Sequence, residues 1–144
     1  MENRELGLVE IFTRIKTYKT ALGLVSFKRS PTTPVSDTNL PCIFMVEDVD
    51  EIVKQSSRDE FGYPAQRELE VVLEIITADT VDIKSLYNKV RKVVFTGGST
   101  VADNTFIREL RTEGPTGYGL SGVFGMRLVL ALTYIDKGFV DVVL

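Results

Sequence analysis

The stretch Ile107–Ile135, IRELRTEGPTGYGLSGVFGMRLVLALTYI, constrains the fold more than any other part of the chain. Its second arm alternates: Phe124, Met126, Leu128, Leu130, Leu132 and Tyr134 share one side of an extended strand, because successive side chains point to opposite faces. The other register, Val123, Gly125, Arg127, Val129, Ala131 and Thr133, is smaller and more mixed. A glycine-rich connection precedes this arm. The stretch therefore predicts a hairpin of two long strands, and the remaining chain must cover its apolar face.

Two helices are available for that task. Over residues 4–22, Leu8, Ile11, Phe12, Ile15, Tyr18 and Leu22 recur at helical spacing and form one stripe. Glu2 and Glu5 lie near its start and Arg14, Lys16 and Lys19 toward its end, the arrangement that opposes the helix dipole. Gly23 is the expected cap. A second helix is predicted over 83–95, with Asp82 as N-cap, Ile83, Leu86, Tyr87, Val90 and Val94 on one face, and Gly97-Gly98 as its stop.

Between the helices lies a second hairpin. Cys42–Val46 reads as a strand continuing toward Val53, with Cys42, Phe44 and Val46 on one face. Glu68–Ala78 follows, with Leu69, Val71, Leu73 and Ile75 on one side and Glu70 and Glu74 on the other. The polar segment 54–67 joins them. Residues 28–41, which hold three of the five prolines, and 97–105 read as irregular connections. Phe139–Leu144 is apolar and β-prone, and is expected to add to this sheet or to a neighbouring subunit's. The order α-β-β-α-β-β predicts one α+β domain over 1–144, two helices on a mainly antiparallel sheet of about four to five strands.

Composition narrows the chemistry. The chain has no histidine, so the commonest general base and metal ligand is missing. Its one cysteine, Cys42, excludes an internal disulfide and falls on an apolar register, as a small core residue would. A net charge of −3 gives no global drive toward nucleic acid or anionic membrane. The acidic start MENRELGLVEIF lacks the features of a signal peptide, and the longest apolar run, Leu128–Leu132, is too short to cross a bilayer. The expectation is a soluble intracellular product.

The candidate motifs have plainer readings. Gly117–Gly122 matches GxGxxG, but a dinucleotide loop needs a helix N-terminus after it, and strand-like alternation follows instead. Thr96–Thr100 lacks the lysine of a phosphate loop. Along Glu47-Asp48-Val49-Asp50-Glu51, strand geometry would place Asp48 and Asp50 opposite Glu47 and Glu51, and no calcium-loop spacing follows. Basic residues on the helices, including Lys84, Lys89, Arg91 and Lys92, read as solvated faces or subunit salt bridges. These readings predict no enzyme, catalytic residue, cofactor or metal. Two loops exceed what a monomer needs: one carries Arg58, Asp59, Glu60, Phe61 and Tyr63, the other Thr116, Tyr118 and Leu120. Mixed charge with aromatics suits an interface.

An amphipathic first helix, a hairpin with a long loop, a helix of the LYNKVRKVVF kind, and the strands FIRELRTEGPTGYG and GVFGMRLVLALTYI occur here in sequence. In pattern and order, from the first helix to Ile135, the chain resembles the tail terminator, or tail completion, proteins of long-tailed bacteriophages. The resemblance implies a homo-oligomeric ring, a hexamer, on the head-proximal end of the tail tube. Such a ring stops tube polymerisation and gives the head and neck a docking surface. Its implied partners are further copies of itself, the tail tube protein, the neck or connector protein, and the sheath if the tail is contractile. DNA would be cargo passing through the channel, with no membrane involved. The implied location is the virion tail, after assembly in the host cytoplasm. A head-tail connector or minor tail protein of similar fold is the alternative.

Overall fold

A computed structural model of the chain describes residues 2–30, 39–55, 64–78, 81–117 and 122–137. Its elements in order are α1 (Asn3–Thr17), β1 (Ser26–Arg29), β2 (Cys42–Gln55), β3 (Ala65–Ala78), α2 (Ile83–Val94), β4 (Thr100–Ala102), β5 (Thr105–Gly117) and β6 (Val123–Asp136). The strands form one sheet in the order β1-β2-β3-β6-β5-β4. The two hairpins β2–β3 and β5–β6 meet where β3 pairs antiparallel with β6, in unbroken register from Ala65↔Asp136 to Ala78↔Val123. That register sets Leu69, Leu73 and Ile75 opposite Leu132, Leu128 and Met126. The apolar faces of both hairpins thus become one surface.

Both helices pack on that surface. Leu8, Ile11 and Ile15 from α1 join Leu86, Val90 and Val94 from α2 in one buried cluster with the sheet residues. Gly7 permits the close approach of α1: a Cβ there would lie 2.9 Å from the Leu132 side chain and 3.0 Å from that of Thr105. Asp82 caps α2 as the sequence predicts, its Oδ1 accepting from the Lys84 and Ser85 amides.

The sheet differs from expectation in having six strands. β1 extends into the proline-rich connection and is held by parallel pairing of Ser26–Arg29 with Cys42–Met45. β4 lies within the predicted loop 97–105 and pairs Thr100 with Phe106. Neither is long enough to show alternation, and each exists because a long neighbour offers it an edge. The first helix stops at Thr17 rather than Leu22. Turns follow to Gly23, whose φ of +70° reverses the chain, and Leu22 reaches the core from them. Cys42 is buried, but on the sheet's other face, in a small cluster with Ile76 and Val123, whereas Ile43 and Met45 supply the main core. The tail Phe139–Leu144 and the loop 56–63 lie outside the described residues.

Candidate assembly surfaces

The interior already determines which charges are fixed. Arg14 lies in the core-facing stripe of α1, only 8% exposed. Its Nη1 donates to the Val94 and Gly98 carbonyls at 2.7 Å, its Nη2 to the Thr100 carbonyl at 3.1 Å, and its Nε to Glu10. One guanidinium thereby satisfies the carbonyls left where α2 ends, matching the dipole there. The buried Cys42 thiol is pushed up to about 11 by desolvation, with the Glu74 charge adding to the effect. It stays protonated at neutral pH, opposite to what an activated nucleophile requires.

At the end of the sheet where β2 and β6 stop, an ion network ties α1 to the strands. The expected split of the acidic run fails, because a bulge between Glu47 and Asp50 adds a residue to β2. Glu47 then pairs with Val71 and Asp50 with Leu69, which puts both carboxylates on the helix side. Arg4 bridges them, at 2.8 Å from Glu47 and 3.3 Å from Asp50. Arg29 holds Glu5 through two bonds of 2.6 and 2.9 Å and also reaches Glu47. The Tyr134 hydroxyl donates to Asp50 Oδ2 at 2.6 Å, and Arg67 donates to Asp136 at 2.9 Å. The second Asp50 oxygen is buried without a hydrogen bond, 3.7 Å from Arg67.

These contacts set the titration of two groups. The hydrogen bond from Arg29 holds the Glu5 carboxyl below its ordinary value. Burial, and then the bond to Asp50, raises Tyr134. A hollow of about 370 Å³ borders the network, lined by residues 2–4 of the chain start and 134–137 of β6 and its exit.

The sheet face away from the helices carries a second lattice. Arg108 pairs with Glu68, Arg111 with Glu70 and Glu113, and Arg127 with Glu74 and Glu113. Val72, Val129 and Ala131 are buried beneath it, because long charged side chains cover apolar surface with their stems. This face presents arginines whose charge is locally answered, unlike the open basic groove of a nucleic-acid binder.

Of the predicted interface residues, Thr116 is placed by the structure. It is exposed at the end of β5 and lines a hollow of about 310 Å³ with Glu74, Glu113, Gly114, Gly125 and Arg127. Arg58, Asp59, Glu60, Phe61, Tyr63, Tyr118 and Leu120 lie outside the described residues. The GxGxxG match leads directly into β6, so no helix N-terminus follows it to receive phosphates. Sequence reasoning missed the Arg4–Glu47–Asp50 network, whose signal was the acidic run itself. It also missed the cross-strand lattice, whose signal was the pairing of Glu68, Glu70 and Glu74 with arginines on a second hairpin.

No protein-family model matches the chain, and no curated protein does so either. A similarity does exist among solved structures. A chain of the structure described as "Virion of native gene transfer agent (GTA) particle" superposes with a TM-score of 0.57 over 88% of this chain and 92% of that one. The two share 11% sequence identity, so the likeness is one of fold.

Proposed function

We propose that the chain is a structural protein of a phage-like virion and, within the particle, a tail terminator. The observation that carries this reading is the fold shared across nearly the whole length of both chains with a gene transfer agent virion component. The element order supports the finer assignment. On this reading the protein acts purely by binding, without catalysis. It closes into a hexameric ring on the head-proximal end of the tail tube, stops polymerisation, and offers its other face to the neck. A ring built from copies of one chain needs a heterologous interface that closes, so two different patches on each copy must match. The paired arginines of the open sheet face fit a particle through which DNA passes without being gripped, since unpaired cations would bind phosphates strongly.

Mixing the purified protein with tail tubes tests the reading. Negative-stain images should show capped tubes of fixed length, and sedimentation should show rings. A protein that remains monomeric and ignores tubes would refute it. Tyr118→Ala is expected to leave the monomer folded by circular dichroism while reducing tube capping at least several-fold. Unchanged tail length and head joining in that variant would remove the loop from the interface. The likeness is to a chain of a virion particle and specifies no position within it, which keeps a head-tail connector as the second reading. Separate pull-downs with tube protein and neck protein distinguish the two: capture by the neck protein alone favours the connector.

A further inference from the structure

The described surface contains two charged patches that no described residue answers. On α2, Lys84, Lys89 and Lys92 lie along one exposed stripe with Ser85 and Asn88 between them. The helix contains no acidic residue, and none of these lysines pairs with a described residue. The other patch is the middle of β2. Asp48 and Glu51 are exposed and pair with no described residue, in contrast to their neighbours Glu47 and Asp50, which Arg4 holds. Val49, Ile52 and Val53 are interleaved with them and are 46–49% exposed. β3 pairs with this part of β2 on one side, but on the other side no described strand borders it, because β1 pairs only with Cys42–Met45.

An edge that is both acidic and apolar departs from the usual protection of strand edges, which avoids exposed hydrophobic side chains. Lysine suits such a surface on both counts. Its ammonium answers the carboxylates, and its four-carbon stem covers valine and isoleucine. The two patches cannot meet within one molecule. β2 lies beyond β3 on one side of the sheet, while α2 is anchored toward β5 through Arg91–Glu109 and Tyr87–Thr112. Between copies they form a heterologous pair, the kind a ring requires.

We propose that the α2 lysine stripe of one copy receives the acidic β2 edge, Asp48–Val53, of the next, and that this contact repeats around the ring. The proposal rests on the ring reading above, and charge complementarity selects a second copy as the occupant. Exposed ion pairs are screened by salt, so assembly should weaken as ionic strength rises.

Two charge-reversed variants provide the test: Lys84→Glu/Lys89→Glu/Lys92→Glu, and Asp48→Lys/Glu51→Lys. The altered positions are exposed, so both chains should fold; if one does not, Gln at its positions tests the loss of assembly alone, without the mixture. Assembly is measured by sedimentation velocity and negative stain, with tail tubes present as template. Wild type is expected to assemble, and each variant alone to lose assembly at least tenfold. An equimolar mixture should recover it, because each variant then presents the charge the other lacks and an even-numbered ring closes by alternation. Variants that assemble as wild type does overturn the proposal while leaving the ring reading intact. Failure of the mixture to recover overturns the pairing of these two patches. Duplex DNA binding lost in the lysine variant, with assembly unchanged, assigns the stripe to phosphates and also overturns it. A wild type that remains monomeric even with tubes overturns both readings.

Discussion

Arg14 shows how one side chain holds a junction together. A cation inside an apolar stripe costs desolvation, and here four hydrogen bonds offset that cost. Arg14→Met should destabilise the fold by about 2–4 kcal/mol, since buried carbonyls lose a charged donor, and urea denaturation measures this. Arg14→Lys should recover only part of the loss, because one ammonium cannot reproduce the forked contacts to Val94, Gly98 and Thr100. Glu5 gives a prediction with a pH window. Its folded value is depressed by Arg29, so its contribution is fully present above the ordinary 4.5 and is lost as pH falls through the folded value. Wild type should therefore melt higher than Glu5→Gln at pH 7, and the two curves should converge in acid. A gap that persists unchanged in acid would show that the Arg29 bond is not its source.

At the level of elements, the strands that alternate over many residues were legible in the sequence. Leu69, Val71, Leu73 and Ile75 all reach zero exposure on the predicted face, and Leu128, Leu130 and Leu132 meet them from β6. What periodicity could not show is where the period slips. One extra residue between Glu47 and Asp50 reverses the expected separation of the acidic run and creates the network with Arg4. Short edge strands were illegible for a related reason: β1 and β4 depend on partners that local sequence does not reveal. The loop candidates were legible only as composition, with Thr116 the member the structure places. Another slip, between Glu113 and Thr116, contains Gly114 at φ +92°, where a Cβ would stand 2.8 Å from the Gly125 carbonyl oxygen. Gly114→Ala should cost about 1–3 kcal/mol through the strained backbone and that clash. Amide exchange should rise first along the adjoining half of β5. Uniform loss of protection across the sheet would instead mean that the bulge is not a local device.

For the molecule as a whole, two adjacent residues of β6 face opposite sides of the sheet. Leu128 is fully buried at the centre of the sheet, opposite Leu73 and under the helix layer. Arg127 points the other way into the exposed lattice, where its contacts to Glu74 and Glu113 are 3.6 and 3.7 Å. Leu128→Asp removes a core side chain and buries a carboxylate among apolar neighbours. Together these should exceed about 5 kcal/mol, a large share of the 5–15 kcal/mol that holds an ordinary domain. The expected result is loss of the cooperative urea transition. Arg127→Ala should shift stability by under about 1 kcal/mol, because exposed ion pairs at such distances contribute little. If Arg127→Ala nonetheless reduces tube capping, the lattice face takes part in the particle and not only in the fold. If capping is unchanged, that face is solvated lining, as a channel wall would be. The outcome that would break this account is a folded Leu128→Asp, since every element of the fold is built against the surface Leu128 occupies.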